Sequence, residues 1–535
     1  MTTISRREAL RELSALLALP LARWPDRLAD PLAGTIVEYQ AGRARGDWTA
    51  VEVTKAALDR AMAWNGTLHA VDEFSKTALD DARASDARLR RRALRGPLDG
   101  VPVFAKAIYD MSGLPTTGSN LEWSRLFPEP LHRDSIEVAR MRAAGAVVLG
   151  KTVADDFAYH GNGTSSLSGQ VRNPYDATGT KTPGGSSAGS AVSVATGIAF
   201  AAVGTDDGGS NRIPAQFTGI VGMKPTFGLV PRTGVIPTWP YLDTHGPLAR
   251  HVADAALLLD AIAGPDPSDG LALRTAWKRG QLAELSDRAL QGARLGLVEV
   301  HFPRSQMSAE SISVFERAMS DLKSAGAVVD TFAAPVTRVN YRDLFAAAAK
   351  ARGDLAPNAY APAPTANALY RYFLTHGGDA RHDVERGLAP YQSFYDVLPK
   401  DWGEMQKLIV QPYEDDPAGL SFARSRATVI AQLADGFRAQ NIDAMIYPTM
   451  PYPAPRATDK WPDVRTPLGY GNWLGLPEVS VPTGLGADGM PAGNISFVGL
   501  PGSDARILAL AHSYERASRR FVPPPASGFP LPPSR

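Results

Sequence analysis

Apolar and polar residues follow helix-like and strand-like patterns in turn along the first third of the chain. Residues 49–65 show apolar positions at helical spacing behind a Thr49…Glu52 capping box, which predicts a helix. A highly charged run over residues 76–95 predicts a second, solvent-facing helix. Residues 101–104 and 146–152 predict buried strands, with a helix over residues 134–144 between them. This alternation indicates an α/β fold.

Two clusters of glycine and serine lie on either side of the next predicted helix and strand. The first cluster, GGSS at residues 184–187, precedes a small-residue helical run over 188–199 and an apolar strand over 200–204. The second, GGS at residues 208–210, follows at once. Glycines turn successive backbone N–H groups toward one point, as an oxyanion hole requires. A single such cluster is typical of a linker, but this order predicts a catalytic site.

The later part of the chain returns to the same alternation after an aromatic-rich segment. Strands are predicted over residues 293–300 and 327–329, with a helix over 308–325. Residues 336–417 are less regular, and such a segment beside an active site would determine substrate choice. Its aromatic residues are expected in the core more often than in a pocket: Tyr341, Phe345, Tyr370, Tyr372, Phe373, Tyr391, Phe394, Tyr395 and Trp402.

Composition indicates a soluble globular protein with a neutral surface. The 535 residues are 44% hydrophobic and 21% charged, which is ample for a large core and would by size suggest two or more domains. A net charge of +1 argues against nucleic acid or an anionic membrane as the main partner. The absence of cysteine from the sequence excludes disulfides, Cys-ligated zinc and a thiol nucleophile.

Several motifs resemble those of the amidase signature family. GGSSAGS at residues 184–190, GTDDGGSNRIPA at 204–215 and GIVGMKPTFG at 219–228 match the family patterns, as does GVPVFAK at 100–106. Further similarity lies in LGKTVADDFA at 149–158, where Asp156 replaces the usual glutamate, in DTHGPLAR at 243–250, and in closing motifs at 475–482 and 489–493. The resemblance covers the chain from about Leu32 onward.

This resemblance implies a catalytic triad of two serines and a lysine. Ser210 would be the nucleophile, and Ser186, held after a cis peptide bond, would relay protons to the base Lys106. Burial among apolar neighbours would lower the pKa of Lys106 and keep it neutral. The backbone N–H groups expected to hold the oxyanion belong to Asp207, Gly208, Gly209 and Ser210. The residues expected to support the site are Ser187, Asp206 and Arg212.

Two positions depart from the family pattern within this motif. Asp207 stands where a neutral residue is more common, so its carboxylate is expected to point away from the developing negative charge. Asn211 stands where isoleucine is common and is expected to place a polar group near the pocket floor. A competing interpretation of residues 185–189 as a G-x-S-x-G nucleophile elbow requires a preceding strand. The breaker-rich residues 173–183 disfavour it.

The resemblance implies one α/β/α domain, with a mixed central sheet covered by helices, over residues 31–522. Its implied activity is amide hydrolysis without a metal or organic cofactor, on a small-molecule amide, by a monomer or homodimer that has no stable membrane span. Alternatives are an ester or carbamate hydrolase, the glutaminase subunit of an amidotransferase, and a catalytically silent binding protein. The presence of all three triad residues in the sequence disfavours a catalytically silent binding protein.

The two ends of the chain are predicted to lie outside this domain. Residues 1–30 resemble a twin-arginine export signal, with Arg6 and Arg7 ahead of a short apolar run over 13–22, which implies a periplasmic enzyme. An N-terminal helix on a cytoplasmic enzyme is the alternative. The Pro-rich residues 523–535 are predicted to be disordered.

We therefore expect cell fractionation to distinguish the two interpretations of the N-terminus. Replacing both arginines, Arg6→Lys and Arg7→Lys, should shift the enzyme from the periplasm to the cytoplasm if the segment is an export signal. Identical cytoplasmic distribution of this variant and the wild type would show that the segment is only a helix.

Overall fold

A computed structural model describes residues 30–275, 277–280, 285–460 and 466–525. The predicted export signal or N-terminal helix and most of the predicted Pro-rich tail lie outside the described residues, so both stay predictions. The described residues have one main hydrophobic core, which extends from Leu32 to Tyr514, and a second, smaller cluster that includes Phe217 and Met450. One main core is consistent with a single domain despite the length of the chain.

The described residues contain thirteen strands, which are β1 Val71–Phe74, β2 Pro102–Lys106, β3 Val147–Thr152, β4 Thr164–Ser165, β5 Gly169–Gln170, β6 Ala201–Asp206, β7 Val221–Lys224, β8 Thr244–Ala249, β9 Arg294–Leu297, β10 Val328–Thr331, β11 Ala444–Pro448, β12 Glu478–Pro482 and β13 Asn494–Val498. Strands β4 and β5 form a separate pair, and the other eleven form one mixed sheet in the order β1-β3-β2-β6-β8-β7-β12-β13-β11-β9-β10. Pairing in this sheet is parallel for β3-β2-β6 and β11-β9-β10 and antiparallel elsewhere.

Helices cover this sheet, which confirms the α/β fold with a mixed central sheet. They are α1 Ile36–Arg45, α2 Ala50–Leu68, α3 Ala78–Arg90, α4 Leu121–Leu126, α5 Ile136–Ala143, α6 Ala188–Ala195, α7 Arg212–Phe217, α8 Val252–Ile262, α9 Ala309–Ser324, α10 Tyr341–Arg352, α11 Pro362–Leu374, α12 Ala380–Gln392, α13 Trp402–Ile409, α14 Pro417–Gln440, α15 Leu468–Leu474 and α16 Asp504–Ser518. Within the ranges described, none of these helices is both long and apolar enough to cross a membrane.

Local sequence explains where several of these elements begin. The predicted capping box opens α2, since the Thr49 side chain accepts from the Glu52 N–H and Glu52 bonds back to the Thr49 backbone. Every residue of β2, β3 and β6 is buried, as expected for strands covered on both faces. The small residues of α6 allow close contact with the sheet: a Cβ on Gly189 would lie 2.2 Å from the Ala70 carbonyl oxygen.

Two sequence-based predictions need correction. The helix predicted over 188–199 ends at Ala195, where α6 stops, and the strand after it runs from Ala201 to Asp206. The segment 336–417 is mostly helical, because α10 to α13 lie within it. Pro390 lies inside α12, where proline disfavours a helix, so the sequence pattern did not predict this helix. The aromatic residues of this segment do pack in or against the core, as predicted.

A pair of helical glycines tests this packing. Gly387 of α12 lies against Trp123, and an added Cβ would come within 2.7 Å of the indole. Gly66 of α2 has open space around it. We expect Gly387→Ala to lower the free energy of unfolding by roughly 1–3 kcal/mol through overpacking. The control Gly66→Ala should raise it by roughly 0.4–1 kcal/mol.

The measurement is the shift of the denaturation midpoint of each variant against wild type. If Gly387→Ala were as stable as Gly66→Ala, the contact between α12 and Trp123 would be wrong.

Candidate active site

Lys106 ends strand β2 and is fully buried. Its Nζ lies 2.7 Å from the Ser186 Oγ and 2.8 Å from the Thr205 Oγ1 of the neighbouring strand β6. Burial lowers the pKa of Lys106 to about 8, although the nearby carboxyl groups, with Asp207 first among them, oppose this. A lysine in this state is partly neutral near pH 8 and can accept a proton from a hydroxyl.

Ser186 lies just before helix α6, directly after the cis peptide bond that joins it to Gly185. The next residue connects the two serine clusters, because the Ser187 N–H donates to the Ser210 carbonyl at 3.2 Å. The Ser187 hydroxyl lies 3.3 Å from the Thr205 carbonyl oxygen and 3.1 Å from the Asn211 Oδ1. The structure therefore brings the segments of Lys106, Ser186 and Ser210 together.

The loop from Asp206 to Arg212 is held by a buried ion-pair network. Arg212 donates to both Asp206 oxygens, at 2.9 and 2.7 Å, and to the Glu478 Oε2 at 2.6 Å. It also donates to the Asn472 Oδ1 at 2.7 Å, and the Asn472 amide bonds back to the Asp206 carbonyl at 2.7 Å. Although burial opposes it, the Arg212 charge holds the pKa of Asp206 well below its usual range. Asp206 and Arg212 thus hold the two ends of this loop together.

One predicted oxyanion donor is already engaged. The Gly209 N–H donates to the Asp206 Oδ1 at 2.8 Å, so it is not free to bind an oxyanion. Gly209 adopts φ +125°, where a Cβ would also collide with Leu468 and Ile213. Within the described residues, the N–H groups of Asp207, Gly208 and Ser210 meet no protein acceptor.

The side chain of Asp207 faces a second carboxyl group. Its Oδ1 accepts from the Thr238 hydroxyl at 2.8 Å, and its Oδ2 is buried without a hydrogen-bond partner among the described residues. Burial, reinforced by the nearby Asp243, raises the pKa of Asp207 well above its ordinary value. The Asp207 carboxyl group is therefore harder to ionise than an exposed aspartate, which reduces the repulsion that its charge would exert beside the site.

Behind this pair lies a buried histidine that the sequence did not reveal. His245 contacts Glu137 through Nδ1 and lies 3.3 Å from the Asp243 Oδ1 through Nε2. The carboxyl groups of Asp243 and Glu137 overcome the effect of burial and raise the pKa of His245 to about 10. The cation holds the pKa of Asp243 below its usual value despite burial. Asp243 and His245 belong to the DTHGPLAR motif of the sequence, but nothing in the sequence connects that motif to Glu137.

The cavity above the two serine clusters has a volume of about 480 Å³. Ser186 and Lys106 are not part of its surface, since both are fully buried beneath it. Its lining residues come from six separate parts of the chain and include Gly185 of the first serine cluster and two residues of the second: Ala158, Tyr159, His160, Gly161, Asn162, Gly185, Asp207, Gly208, Ser210, Ile213, Trp239, Tyr360 and Tyr395.

Asn211 lies elsewhere than the sequence predicted, and Asp155 is a residue near the site that the sequence analysis did not single out. Asn211 does not reach the cavity, because its amide donates to the carbonyls of Met223 and Gly246 at 3.2 Å, inside the sheet. Asp155 was not predicted, and its carboxylate accepts from the N–H groups of Asn162 and Gly163 at 2.8 Å. It thereby fixes the loop at residues 158–162, which lines the cavity. Across the described residues, no cluster of three or more histidine and acidic side chains could hold a metal ion.

The mixed sheet and the buried lysine–serine pair are features of a hydrolase with α/β architecture. A family model described as Amidase matches residues 52–508, which is most of the chain. The chain therefore belongs to the amidase family, the amidase signature enzymes, which act on C–N bonds. The matched residues lie within the predicted domain 31–522, whose exact limits stay a prediction.

Relatives within this family carry different names. The chain is 33% identical to a glutamyl-tRNA(Gln) amidotransferase subunit from Cereibacter sphaeroides over 504 residues, or 90% of this chain and 97% of that protein. The corresponding protein of Symbiobacterium thermophilum is 35% identical over 510 residues, with 90% and 96% covered. The crystal structure of peptide amidase from Stenotrophomonas maltophilia matches with a TM-score of 0.76 at 31% identity, over 93% of this chain and 98% of that one.

The surroundings of Lys106 predict a rise of activity with pH. Because the neutral amine is the form that accepts a proton, kcat/KM should rise through a midpoint near the Lys106 pKa of about 8. Lys151 is a matched control, since burial also lowers its pKa to about 8 but it bonds to Pro115 and Thr116 away from the serines. The Lys151→Met variant should keep the same pH midpoint.

The measurement is a pH–rate profile for wild type and Lys151→Met, with and without a chelator, to which activity should be insensitive. A rate that stays flat from pH 5 to pH 9 with chemistry limiting would contradict the role of Lys106.

Proposed function

We propose that this protein hydrolyses a carboxylic amide through an acyl-enzyme on Ser210, with Ser186 as the relay and Lys106 as the base. The observation that carries the proposal is the 2.7 Å contact between the buried Lys106 Nζ and the Ser186 Oγ, directly beneath the cavity that Ser210 lines. A base that is sealed off from the cavity can exchange protons with a substrate only through a relay, and the position of Ser186 suits that role.

The reaction follows from this arrangement in two halves. Ser210 Oγ attacks the amide carbonyl carbon while its proton passes to Ser186 and the Ser186 proton passes to Lys106. The C–N bond then breaks as the same path returns a proton to the leaving nitrogen, which releases ammonia or an amine. Water attacks the acyl-enzyme by the same route, gives the carboxylic acid and restores Ser210.

The oxyanion of each tetrahedral intermediate would be bound by the backbone N–H groups of Asp207, Gly208 and Ser210. Gly209 is left out because its N–H is bound to Asp206. Loss of one such donor typically costs about 10²–10³ in rate. The Arg212 network supports this function because it holds the loop in place before substrate arrives.

A second candidate is the glutaminase activity of an amidotransferase, favoured by the names of the relatives at 33–35% identity. Glutamine carries a carboxylate, yet the cavity lining has no lysine or arginine among its described residues. This absence favours an independent amidase. Ester or carbamate hydrolysis on the same machinery is distinguished by comparing matched amide and ester substrates. The proposed location remains the periplasm, and the proposed assembly is a monomer or homodimer.

We expect Ser210→Ala to abolish hydrolysis, with a loss of at least about 10³-fold, because no other group can form the acyl bond. Ser186→Ala should lose most activity, since the relay is removed. Ser193→Ala is the control: its hydroxyl lies on α6, is buried and has no hydrogen-bond partner among the described residues, so activity should match wild type.

The measurements are kcat/KM on a panel of primary and aryl amides, and covalent labelling by a fluorophosphonate, with circular dichroism to verify folding. Hydrolysis or labelling of Ser210→Ala at the wild-type rate would overturn the assignment of the nucleophile.

A further inference from the structure

One side of the cavity is a wall of aromatic rings that hold one another in place. Trp239 meets Tyr360 edge-on with ring centroids 5.0 Å apart, and it meets Tyr395 at 5.2 Å. Tyr159 extends the wall, with its ring 5.2 Å from that of Tyr395. The Tyr395 hydroxyl donates to the Phe157 carbonyl at 2.9 Å, which fixes the position of this ring. Such a wall attracts flat apolar groups and, through the faces of the rings, cations.

The charged groups near the cavity are mainly acidic. Asp207 is the one acidic residue in its described lining, which contains neither lysine nor arginine. Asp243 lies behind Asp207, and the nearest cation to Asp243, His245, is shared with Glu137. Lys106, which interacts with Asp207, adds a second cation below its pKa of about 8, so the buried group holds three carboxyls against two cationic side chains. The Asp207 Oδ2 has no hydrogen-bond partner among the described residues, and the pKa of this carboxyl group is raised by burial and by Asp243.

A ligand that brings its own positive charge would balance this excess of carboxyl groups. An ammonium group near Asp207 would stabilise the carboxylate, and the aromatic wall would stabilise the same charge from the other side. A ligand with a carboxylate there would meet a like charge and find no cationic partner. Ser210 is three residues after Asp207 and lines the same cavity, so the charge would lie close to the scissile bond.

We propose that the substrate of this site is an amide that carries a protonated amine close to its carbonyl group, as an amino-acid amide does, with Asp207 as the specificity-determining residue. The inference depends on the proposed function for the reaction, but the preference for a cation depends on the cavity alone. The apolar part of the substrate lies against Trp239, Tyr360 and Tyr395.

Two amides with one skeleton test the proposal. Phenylalaninamide and 3-phenylpropanamide differ only by the α-ammonium group, which is still largely protonated at about pH 7. We expect wild-type kcat/KM to be at least about tenfold higher for phenylalaninamide. A ratio of one or less would overturn the proposal while leaving the proposed function intact.

The variant Asp207→Asn separates recognition from intrinsic reactivity. The ratio of the two kcat/KM values cancels any general loss of activity, and we expect it to fall at least about fivefold in this variant. Asp59→Asn, which removes an exposed carboxylate paired with Lys55 on α2, should keep the wild-type ratio. An unchanged ratio in Asp207→Asn would show that Asp207 does not select the substrate.

A binding measurement on the wild type needs neither catalysis nor a folded variant. In calorimetric titrations, 2-phenylethylammonium is expected to bind at least about tenfold more tightly than 3-phenylpropanoate. Equal or tighter binding of the anion would overturn the proposed preference. Tight binding of the cation together with failure to cleave any amide would uphold the cation subsite and reject the hydrolase assignment instead.

Discussion

The buried ion pair between Arg212 and Asp206 is the interaction on which the arrangement of the site depends. Arg212 joins the loop that carries Ser210 to Glu478, a residue of β12 that comes much later in the chain. All three side chains are fully buried, so loss of Arg212 would leave the Asp206 and Glu478 carboxyl groups without their guanidinium partner, a change that typically costs about 3–5 kcal/mol. The loop that carries Ser210 is therefore tied to strand β12 by buried ion pairs.

Burial of a lysine is common in this molecule and does not by itself mark the site. Burial lowers the pKa of Lys106 and Lys151 to about 8 and that of Lys224 to about 7. Lys151 donates to the Pro115 carbonyl and the Thr116 hydroxyl, and Lys224 donates to the Pro225 carbonyl. Only Lys106, among the lysines described, meets the serine of a glycine-rich turn beneath a cavity. Whether a buried lysine could act as a base therefore depends on the group that its amine contacts as well as on its lowered pKa.

The parts of the structure that could be predicted from sequence are those that depend on neighbours along the chain. The Thr49…Glu52 capping box and the buried strand β3 follow from residues close together. The relation between the two serine clusters was implied only by the family resemblance. Helix α12 escaped prediction because Pro390 interrupts its pattern.

Other features depend on contacts between distant parts of the chain. The engagement of the Gly209 N–H could not be predicted, because it depends on how Arg212 and Asn472 orient the Asp206 side chain. The same is true of the contact between Thr238 and Asp207, which joins two loops that no motif connects. Sequence motifs therefore indicate which backbone groups gather at the site, and tertiary contacts decide which of them are free.

The position of β12 in the sheet has a consequence for the newly made polypeptide. Strand β7 pairs with β8 on one side and with β12 on the other, and residues 225–477 are synthesised between β7 and β12. A nascent chain leaves the ribosome N-terminus first, so β7 emerges long before its second partner exists. Until then its unpaired N–H and C=O groups form an open edge that other strands can join. The nascent chain is therefore most exposed to association with other strands before β12 has been synthesised and the centre of the sheet is complete.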